Sequence, residues 1–220
     1  MECKYCKGNC QKAGKQKNGT QKLFCSGCNK YQQATYLYNA CRTQLNRMIS
    51  TLVCESVSIR GIGRVLQIAN ATVISRIKAI AAAITKPAIP INRNAFEVDE
   101  MMTYIKRKQN QFCVAYAICC DTKQVIDFVV GKRNKRTLKM LVNTLLLSGV
   151  AVIKTDKFNI YQSLIPASRH ITTVYQTNHI ERKNLTVRTH LKRLTRRTIC
   201  FSKSSAVLQA CLEIYFWRRA

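Results

Sequence analysis

The spacing of apolar residues predicts a helical region in the first half of the chain. Over residues 36–54, apolar side chains recur every three or four positions, which is typical of an amphipathic helix. Two shorter helical segments follow, over residues 58–66 and 71–78, with residues 68–70 as the turn between them. Ser58 is the predicted N-cap of the first of these segments, because its hydroxyl can accept a backbone N–H.

The pattern changes to strands after residue 91. Residues 95–101, 112–118 and 124–130 are predicted strands, and a short turn makes the last two antiparallel. The nearly all-apolar residues 150–155 predict an interior strand that is covered on both faces. The pattern also predicts helices over 135–147, 158–164 and 178 to about 194, a strand over 171–175 and a C-terminal helix. An antiparallel strand trio followed by alternating helices and strands is the order of a ribonuclease H-like α/β sheet.

Five of the twelve cysteines fall within the first 28 residues. No export signal precedes them, which argues against a disulfide framework. Two Cys-x-x-Cys pairs flank a predicted turn at Asn18 and Gly19, and two such pairs make the tetrahedral sulfur cage that zinc prefers. Cys10 is a fifth sulfur and could replace Cys6. The predicted zinc ligands are Cys3, Cys6, Cys25 and Cys28.

The charge of the chain indicates a polyanionic partner. It carries 37 lysines and arginines but ten acidic residues, a formal net charge of +27. Such a charge opposes compaction unless a polyanion neutralises it, which favours nucleic acid, with an anionic membrane as the rival partner. No apolar run approaches the roughly 20 residues of a membrane span. We therefore expect a soluble intracellular protein that binds nucleic acid.

The helical segments fit a helix-turn-helix in a domain of residues 36–86, which a stiff linker over 86–90 would end. The alternative is a plain three-helix packing module. In the helix-turn-helix reading, Ile62, Leu66, Val73 and Ile77 would close the small core. The residues left to face DNA would be Asn70, Thr72, Ser75, Arg76 and Lys78.

Elimination among the ten acids leaves few that could hold a catalytic metal. An Asp at the end of an apolar parallel strand, as at Asp156, lies where open α/β sheets bind ligands. Magnesium bound to phosphate needs hard oxygen ligands on rigid elements. Asp99, Asp156 and Glu181 would supply them from two strands and one helix. The alternative is that all three are ion-paired surface groups. Glu100 is left out because strand alternation points it away from Asp99.

Three motifs carry a resemblance to a known family. Residues 179–203 resemble the C-terminal signature of transposases of the insertion-sequence-one family, and the cysteine-rich start and helix-turn-helix also fit. Residues 98–101, and Thr155 and Asp156 followed by Tyr161, match its two earlier acidic motifs. Met102 departs from the family, which commonly has tryptophan there. The resemblance implies a DDE-type active site of Asp99, Asp156 and Glu181, with Arg188 in the usual basic position.

The resemblance also implies a function and an organisation. A zinc module (residues 1–33) and a helix-turn-helix domain (36–86) would bind the terminal inverted repeats of an insertion sequence. A ribonuclease H-like catalytic domain (91–220) would then cleave and join double-stranded DNA by two-metal phosphoryl transfer with Mg²⁺ or Mn²⁺, and Zn²⁺ would have a structural role in the N-terminal module. Basic residues beside Glu181 would hold DNA phosphates: Arg182, Lys192, Arg193, Arg196 and Arg197.

Two DNA ends must be held together, so the resemblance implies a homo-oligomer, at least a dimer. His179 and His190 would contact DNA or pack within the protein. The expected location is the bacterial cytoplasm, in association with the nucleoid. Two rival functions stay open: a DNA-binding regulator derived from a transposase, and a zinc-stabilised packaging protein that binds nucleic acid by charge alone.

Overall fold

The computed structural model describes residues 1–89, 95–172, 178–195 and 197–218. Its N-terminal part is a three-stranded antiparallel sheet of β1 (Cys10–Lys15), β2 (Gln21–Cys25) and β3 (Lys30–Gln33), in that order. The turn between β1 and β2 contains Gly19 with a φ of 79°, a conformation that glycine adopts at little cost. The turn predicted at this position is therefore confirmed.

Three helices follow the small sheet: α1 (Leu45–Cys54), α2 (Ile59–Leu66) and α3 (Asn70–Ala82). Ser58 caps α2 as predicted, since its hydroxyl oxygen accepts a hydrogen bond from the Gly61 backbone N–H at 3.1 Å. The predicted small core is also confirmed. Its four buried members are Ile62, Leu66, Val73 and Ile77.

The prediction of a helix from residue 36 is wrong at its start. The chain forms a single 3-10 turn over Asn39–Cys41 before α1 begins. Leu37, which contributed to the helical pattern, is 72% exposed, whereas Ala40 is buried. The Ala40 carbonyl accepts a hydrogen bond from the Arg76 guanidinium at 3.1 Å, so this segment packs across α3 instead of extending α1.

Residues 67–69 join α2 to α3, and the two helix axes turn by 107° at this junction. Gln67 adopts a left-handed conformation with φ of 54°. A Cβ on Gly63 would lie 2.6 Å from Oδ1 of Asn70, so the close approach of α2 to the turn requires glycine. Within the described ranges no single helix is long and apolar enough to cross a membrane, and α2 with α3 passes that test only as this bent pair.

Five strands form a mixed sheet: β4 (Ala95–Tyr104), β5 (Gln111–Cys119), β6 (Val125–Gly131), β7 (Val152–Thr155) and β8 (His170–Thr172). Their order is β6-β5-β4-β7-β8. The pairs β4–β5 and β5–β6 are antiparallel, and β4–β7 and β7–β8 are parallel. The antiparallel trio and the interior position of β7 are confirmed. The strand predicted over 171–175 extends beyond the described residues, since 173–177 lie outside them.

Helices cover both faces of this sheet. One face packs against α4 (Lys135–Leu147) and α5 (Asn159–Gln162), and the other against α6 (Asn178–His190) and α7 (Ser205–Trp217). The helix predicted from residue 178 to about 194 is shorter in the structure than predicted. It ends at His190, and a 3-10 turn follows over Lys192–Leu194.

The C-terminal helix α7 belongs to two cores at once. Its Val207, Cys211 and Ile214 pack with α1, α2 and α3, while Leu208 and Leu212 pack with the sheet and α6. A helix that is apolar on all sides can be buried between two layers. The three-helix unit therefore shares its core with a helix that lies more than a hundred residues later in the sequence.

Candidate active site and metal sites

The N-terminal thiols form a compact four-sulfur site. The sulfur atoms of Cys3, Cys6, Cys25 and Cys28 lie within 4.8 Å of one another. The Cys3 and Cys28 sulfurs are 3.6 Å apart, and those of Cys6 and Cys25 are 3.4 Å apart. A zinc ion with four tetrahedral Zn–S bonds of about 2.3 Å separates its sulfurs by about 3.8 Å. The site therefore has the ligand type and the spacing that zinc requires.

Among the described residues, the four-sulfur group does not include Cys10. Its sulfur accepts a hydrogen bond from the Gln32 amide at 3.4 Å. Burial, and then the charge of Cys3, raises the pKa of the Cys10 thiol to about 11. By contrast, backbone N–H groups, chiefly that of Cys6, lower the pKa of Cys3 to about 6 and favour its thiolate. The geometry favours Cys6 over Cys10 as a ligand.

Two of the predicted catalytic acids meet where β7 ends beside the middle of β4. Glu97 of β4 pairs with Lys154 of β7, so continuing this register by two residues sets Asp99 beside Asp156. Carboxylate oxygens of Asp99, Glu100 and Asp156 lie within 4.8 Å of one another. Hard oxygen ligands on adjacent rigid strands suit a magnesium ion. We call these three residues the carboxylate group.

A hydrogen-bonded relay fixes the orientation of Asp99. The Asn184 side-chain amide donates to Oδ2 of Asp99, and the Tyr116 hydroxyl donates to the Asn184 amide oxygen at 2.8 Å. Burial raises the pKa of Asp99, whereas the hydrogen bonds from the Glu100 backbone N–H and Asn184 oppose that shift. Sequence reasoning assigned no role to Asn184 or Tyr116. The available signal was that Asn184 follows Glu181 by one helical turn.

Glu181 and Arg188 lie on the same helix as Asn184. Glu181 is exposed in the first turn of α6 and does not belong to the carboxylate group, although its charge contributes to the raised pKa of Asp99. Nε of Arg188 is buried and has no hydrogen-bond partner among the described residues. Burial raises the pKa of Tyr116, and the positive charge of Arg188 partly offsets this increase. The side of α6 that meets Asp99 thus carries an acid, an amide and a guanidinium.

Glu100 is part of the carboxylate group although the sequence analysis left it out. Its side chain is 2% exposed and lies 3.7 Å from Nε of Arg133, whose guanidinium covers the Phe158 ring at 3.7 Å from its centroid. Burial raises the pKa of Glu100 to about 7, and the two neighbouring aspartates add to the shift. The buried Tyr161 hydroxyl interacts electrostatically with Glu100 without a well-formed hydrogen bond among the described residues.

Glu97 anchors the beginning of α6 to β4. It is 1% exposed, its Oε2 accepts the Ile180 backbone N–H at 2.8 Å, and its Oε1 lies 3.0 Å from Nδ1 of His179. A carboxylate at a helix N-terminus is stabilised by the unpaired N–H groups there. His190 contacts the Tyr215 hydroxyl of α7 at 2.8 Å. Both histidines therefore make packing contacts.

The residues predicted to face DNA on α3 differ in accessibility. Asn70, Ser75 and Lys78 are exposed, and Thr72 is half-buried. Arg76 is also half-buried and donates to a backbone carbonyl of the 3-10 turn before α1.

The basic residues after Glu181 also differ from one another. Arg182, Lys192 and Arg197 are exposed. Arg193 is 7% exposed and donates to the Ser202 hydroxyl at 3.4 Å, which corrects its assignment as a DNA contact, because its guanidinium is inside the protein. Arg196 lies outside the described residues.

Comparison with solved structures finds distant likenesses. One is a chain in the simian T-cell lymphotropic virus intasome in complex with PP2A regulatory subunit B56 gamma, with a TM-score of 0.37 and 15% identity, covering 75% of this chain and 65% of that one. Another is the catalytic core domain of BIV integrase, with a TM-score of 0.33 and 12% identity, covering 55% of this chain and 82% of that one.

Sequence comparison identifies the family. The InsB protein of insertion element iso-IS1n from Shigella dysenteriae is 35% identical over 108 residues, which cover 49% of this chain and 82% of that protein. The InsB protein of IS1 from Shigella sonnei is 36% identical over 108 residues with the same coverage. An InsB protein of Escherichia coli K12 is also 36% identical, over 65% of its length. Residues 94–219, more than half of the chain, match the IS1 transposase model. The chain therefore belongs to the IS1 transposase family.

Proposed function

We propose that this chain is a DNA transposase that cleaves DNA strands at the ends of an insertion sequence and joins them to target DNA. The carboxylate group carries the proposal: Asp99 and Asp156 lie side by side on parallel strands, and their oxygens and those of Glu100 lie within 4.8 Å of one another. Membership of the IS1 transposase family supports the same function. The strand order β6-β5-β4-β7-β8 supports a ribonuclease H-like catalytic domain.

Asp99, Asp156 and Glu181 would hold Mg²⁺ or Mn²⁺ in this proposal. Such ions, when bound, lower the pKa of a water or a DNA hydroxyl and neutralise the developing charge on the leaving oxygen. The chain's own residues prepare the site. Asn184 holds Asp99 in one orientation. Arg188 carries a guanidinium on the same helix and would bind a phosphate, which fits a buried Nε without a described partner.

DNA recognition would use the zinc module and the helix pair α2 and α3. The 107° turn between these helices is within the range of helix-turn-helix motifs, in which the second helix enters the major groove. Its exposed Asn70, Ser75 and Lys78 would contact the terminal inverted repeats. Arg182, Lys192 and Arg197 would bind backbone phosphates near the carboxylate group. Pairing of two ends requires at least a dimer, acting on DNA in the cytoplasm.

A strand-transfer assay tests this proposal. The full-length protein should join a labelled duplex that carries the element's end to a target plasmid when Mg²⁺ or Mn²⁺ is present. Asp156→Ala should reduce the product by about a thousandfold or more while it leaves end binding intact. Asp121→Ala, which changes an exposed aspartate in the β5–β6 turn, is the matched control. A regulator would bind the ends but form no product, and activity that survives Asp156→Ala would refute the assigned site.

A further inference from the structure

Two loops at one end of the five-stranded sheet carry positive charge and no negative charge. Residues 105–110 join β4 to β5, and residues 131–136 run from the end of β6 into α4. These twelve residues include seven lysines or arginines and no acid. All seven cations are exposed. We call them the basic rim: Lys106, Arg107, Lys108, Lys132, Arg133, Lys135 and Arg136.

The two loops lie side by side because β5 is paired with both β4 and β6. Cys113 of β5 pairs with Gly131 at the end of β6, and β5 begins just before this pair, at Gln111. The ammonium group of Lys132 connects the loops, since it donates to Oδ1 of Asn110 at 2.7 Å. Asn110 is neutral, so this contact does not compensate the charge of Lys132.

The backbone of the β4–β5 turn is held in place at both of its sides. The Ile105 N–H donates to the Asn110 carbonyl at 3.0 Å and closes the turn. The Lys106 N–H donates to the Ser202 carbonyl, also at 3.0 Å, and so ties the turn to the segment before α7. The cations of this turn therefore extend from a fixed backbone, which reduces the conformational entropy lost on binding.

The basic rim extends around the end of the sheet to both of its faces. Lys132 lies over the Phe112 ring, which packs on the side of α6 and α7, and Arg133 lies over the Phe158 ring on the side of α4 and α5. A sheet is about 10 Å thick, and the major groove of DNA is about 12 Å wide. Cations on the two sides of the sheet end can therefore reach phosphates of the two strands that border one groove.

The rim begins at the carboxylate group. Nε of Arg133 lies 3.7 Å from Oε1 of Glu100, which is a member of that group. The β4–β5 turn begins at Ile105, which lies about 20 Å along the strand from Asp99. Successive phosphates of a DNA strand rise by about 3.4 Å, so this distance corresponds to about six base pairs. A duplex on the rim would therefore pass the carboxylates.

We propose that the basic rim binds the target duplex to which the DNA end is joined. The inference rests on the proposed function, in which the zinc module and the helix pair α2 and α3 recognise the ends. Neither rim loop belongs to those elements, so the rim is available to a second duplex. Contacts from lysine and arginine to phosphates do not depend on the bases, which suits a duplex that shares no sequence with the ends.

Strand transfer to a target plasmid and cleavage of the end without a target, both with Mg²⁺, test the inference. Lys108→Glu and Lys135→Glu each reverse one charge of the rim. Lys135 is the first residue of α4, where an acidic side chain is favourable, so the helix should be retained. Each variant should lower strand transfer about tenfold and end cleavage less than about twofold. A higher plasmid concentration should restore the product, because the loss is one of target affinity.

Lys123→Glu is the matched control, because Lys123 is exposed in the β5–β6 turn at the opposite end of the sheet. It should leave both reactions unchanged. Cleavage that falls as far as strand transfer would mean that the rim holds the DNA end, and rim variants that behave like Lys123→Glu would mean that the rim has no role. Either result would overturn the inference.

Binding of an end-free duplex of about 20 base pairs, at matched salt without Mg²⁺, separates this inference from the proposed function. The rim variants should bind this duplex about fivefold more weakly than the wild type, and Lys123→Glu should bind it as the wild type does. A wild-type protein that forms no strand-transfer product would contradict the proposed function. Duplex binding would then decide the role of the rim, and equal affinities of rim variants and control would refute it.

Discussion

The four-sulfur site and the carboxylate group are both sets of ligand atoms within 4.8 Å of one another, but they are assembled in different ways. The four thiols come from two turns of one small sheet, and Cys3 and Cys28 are 25 residues apart. The carboxylates come from β4 and β7, which are separated in the chain by two strands and α4. One site depends on local turns, and the other depends on the register of a large sheet.

Their accessibility differs as well. Two of the four thiols, Cys3 and Cys25, are buried although Cys6 is exposed, whereas Asp156 of the carboxylate group is exposed at the end of its strand. Four protein ligands are typical of structural zinc, and an accessible oxygen site leaves room for a substrate. The comparison fits the proposal that metal binding at the first site would contribute to folding and metal binding at the second to chemistry.

Loss of one thiolate should have the largest effect. Cys25→Ser should abolish zinc binding and unfold residues 1–33, because zinc contributes on the order of 10 kcal/mol to such a module. Zinc analysis, with hydrogen exchange along the chain, measures both effects, and exchange in β4 and β5 should stay slow. Cys10→Ser is the matched control and should retain zinc. Zinc loss in Cys10→Ser with retention in Cys6→Ser would reverse the ligand assignment.

Loss of one carboxylate charge should instead impair strand transfer and leave zinc binding and folding nearly unchanged. Asp99→Asn keeps the shape of the side chain but removes an anionic ligand, so strand transfer should fall about a thousandfold while zinc content and thermal stability change little. Strand-transfer rates and zinc analysis check this. Glu55→Gln, a change outside the sheet domain, is the control. If Asp99→Asn lowered zinc content, the two sites would not be independent.

How each site is assembled also determines how much of it the sequence predicts. The spacing of Cys3, Cys6, Cys25 and Cys28 suffices, because a Cys-x-x-Cys pair folds as one turn. Asp99 and Asp156 were found by elimination and resemblance, since only the β4–β7 register sets them side by side.

Other contacts depend on tertiary packing and have no local signal. The Tyr116 hydroxyl that orients the relay is inside an apolar strand. Arg193 occurs in a basic run yet is buried. The 3-10 turn over Asn39–Cys41 depends on a contact with α3. Sequence pattern therefore predicted the elements and their order, and it failed where a side chain contacts a distant part of the chain.

When no Mg²⁺ is present, the carboxylate group should make the stability of the sheet depend on pH, in the direction opposite to the sulfur site, whose thiols bind zinc less tightly as pH falls. The Glu100 pKa is raised from 4.5 to about 7 in the folded protein, so the folded state binds more protons than the unfolded state between these values. The free energy of unfolding should therefore fall as pH rises from 4.5 to 7, by up to about 3 kcal/mol. Glu100→Gln should remove most of this dependence, and Asp99, whose pKa burial also raises, should account for the remainder.

Urea denaturation followed by Trp217 fluorescence measures the effect. Trp217, the single tryptophan, donates to the Val125 carbonyl of β6 at 2.9 Å and so reports on the sheet. Mg²⁺ should reduce the dependence, since it favours the ionised carboxylates. A stability that rises with pH over this range in the wild type, or a slope in Glu100→Gln as steep as in the wild type, would contradict the assignment.

The smallest effect is expected from the relay that supports Asp99, which has no counterpart in the sulfur site. Asn184→Ala removes a donor to Oδ2 of Asp99 and should raise the Asp99 pKa further. Strand transfer near neutral pH should fall about tenfold, and its pH profile should shift to higher pH. Tyr116→Phe should act in the same direction but less strongly, because Asn184 remains. Asn143→Ala, at an exposed position on α4, is the control. A lower melting temperature in Asn184→Ala without a shifted pH profile would mean that the amide supports packing alone, and the orienting role of the relay would be wrong.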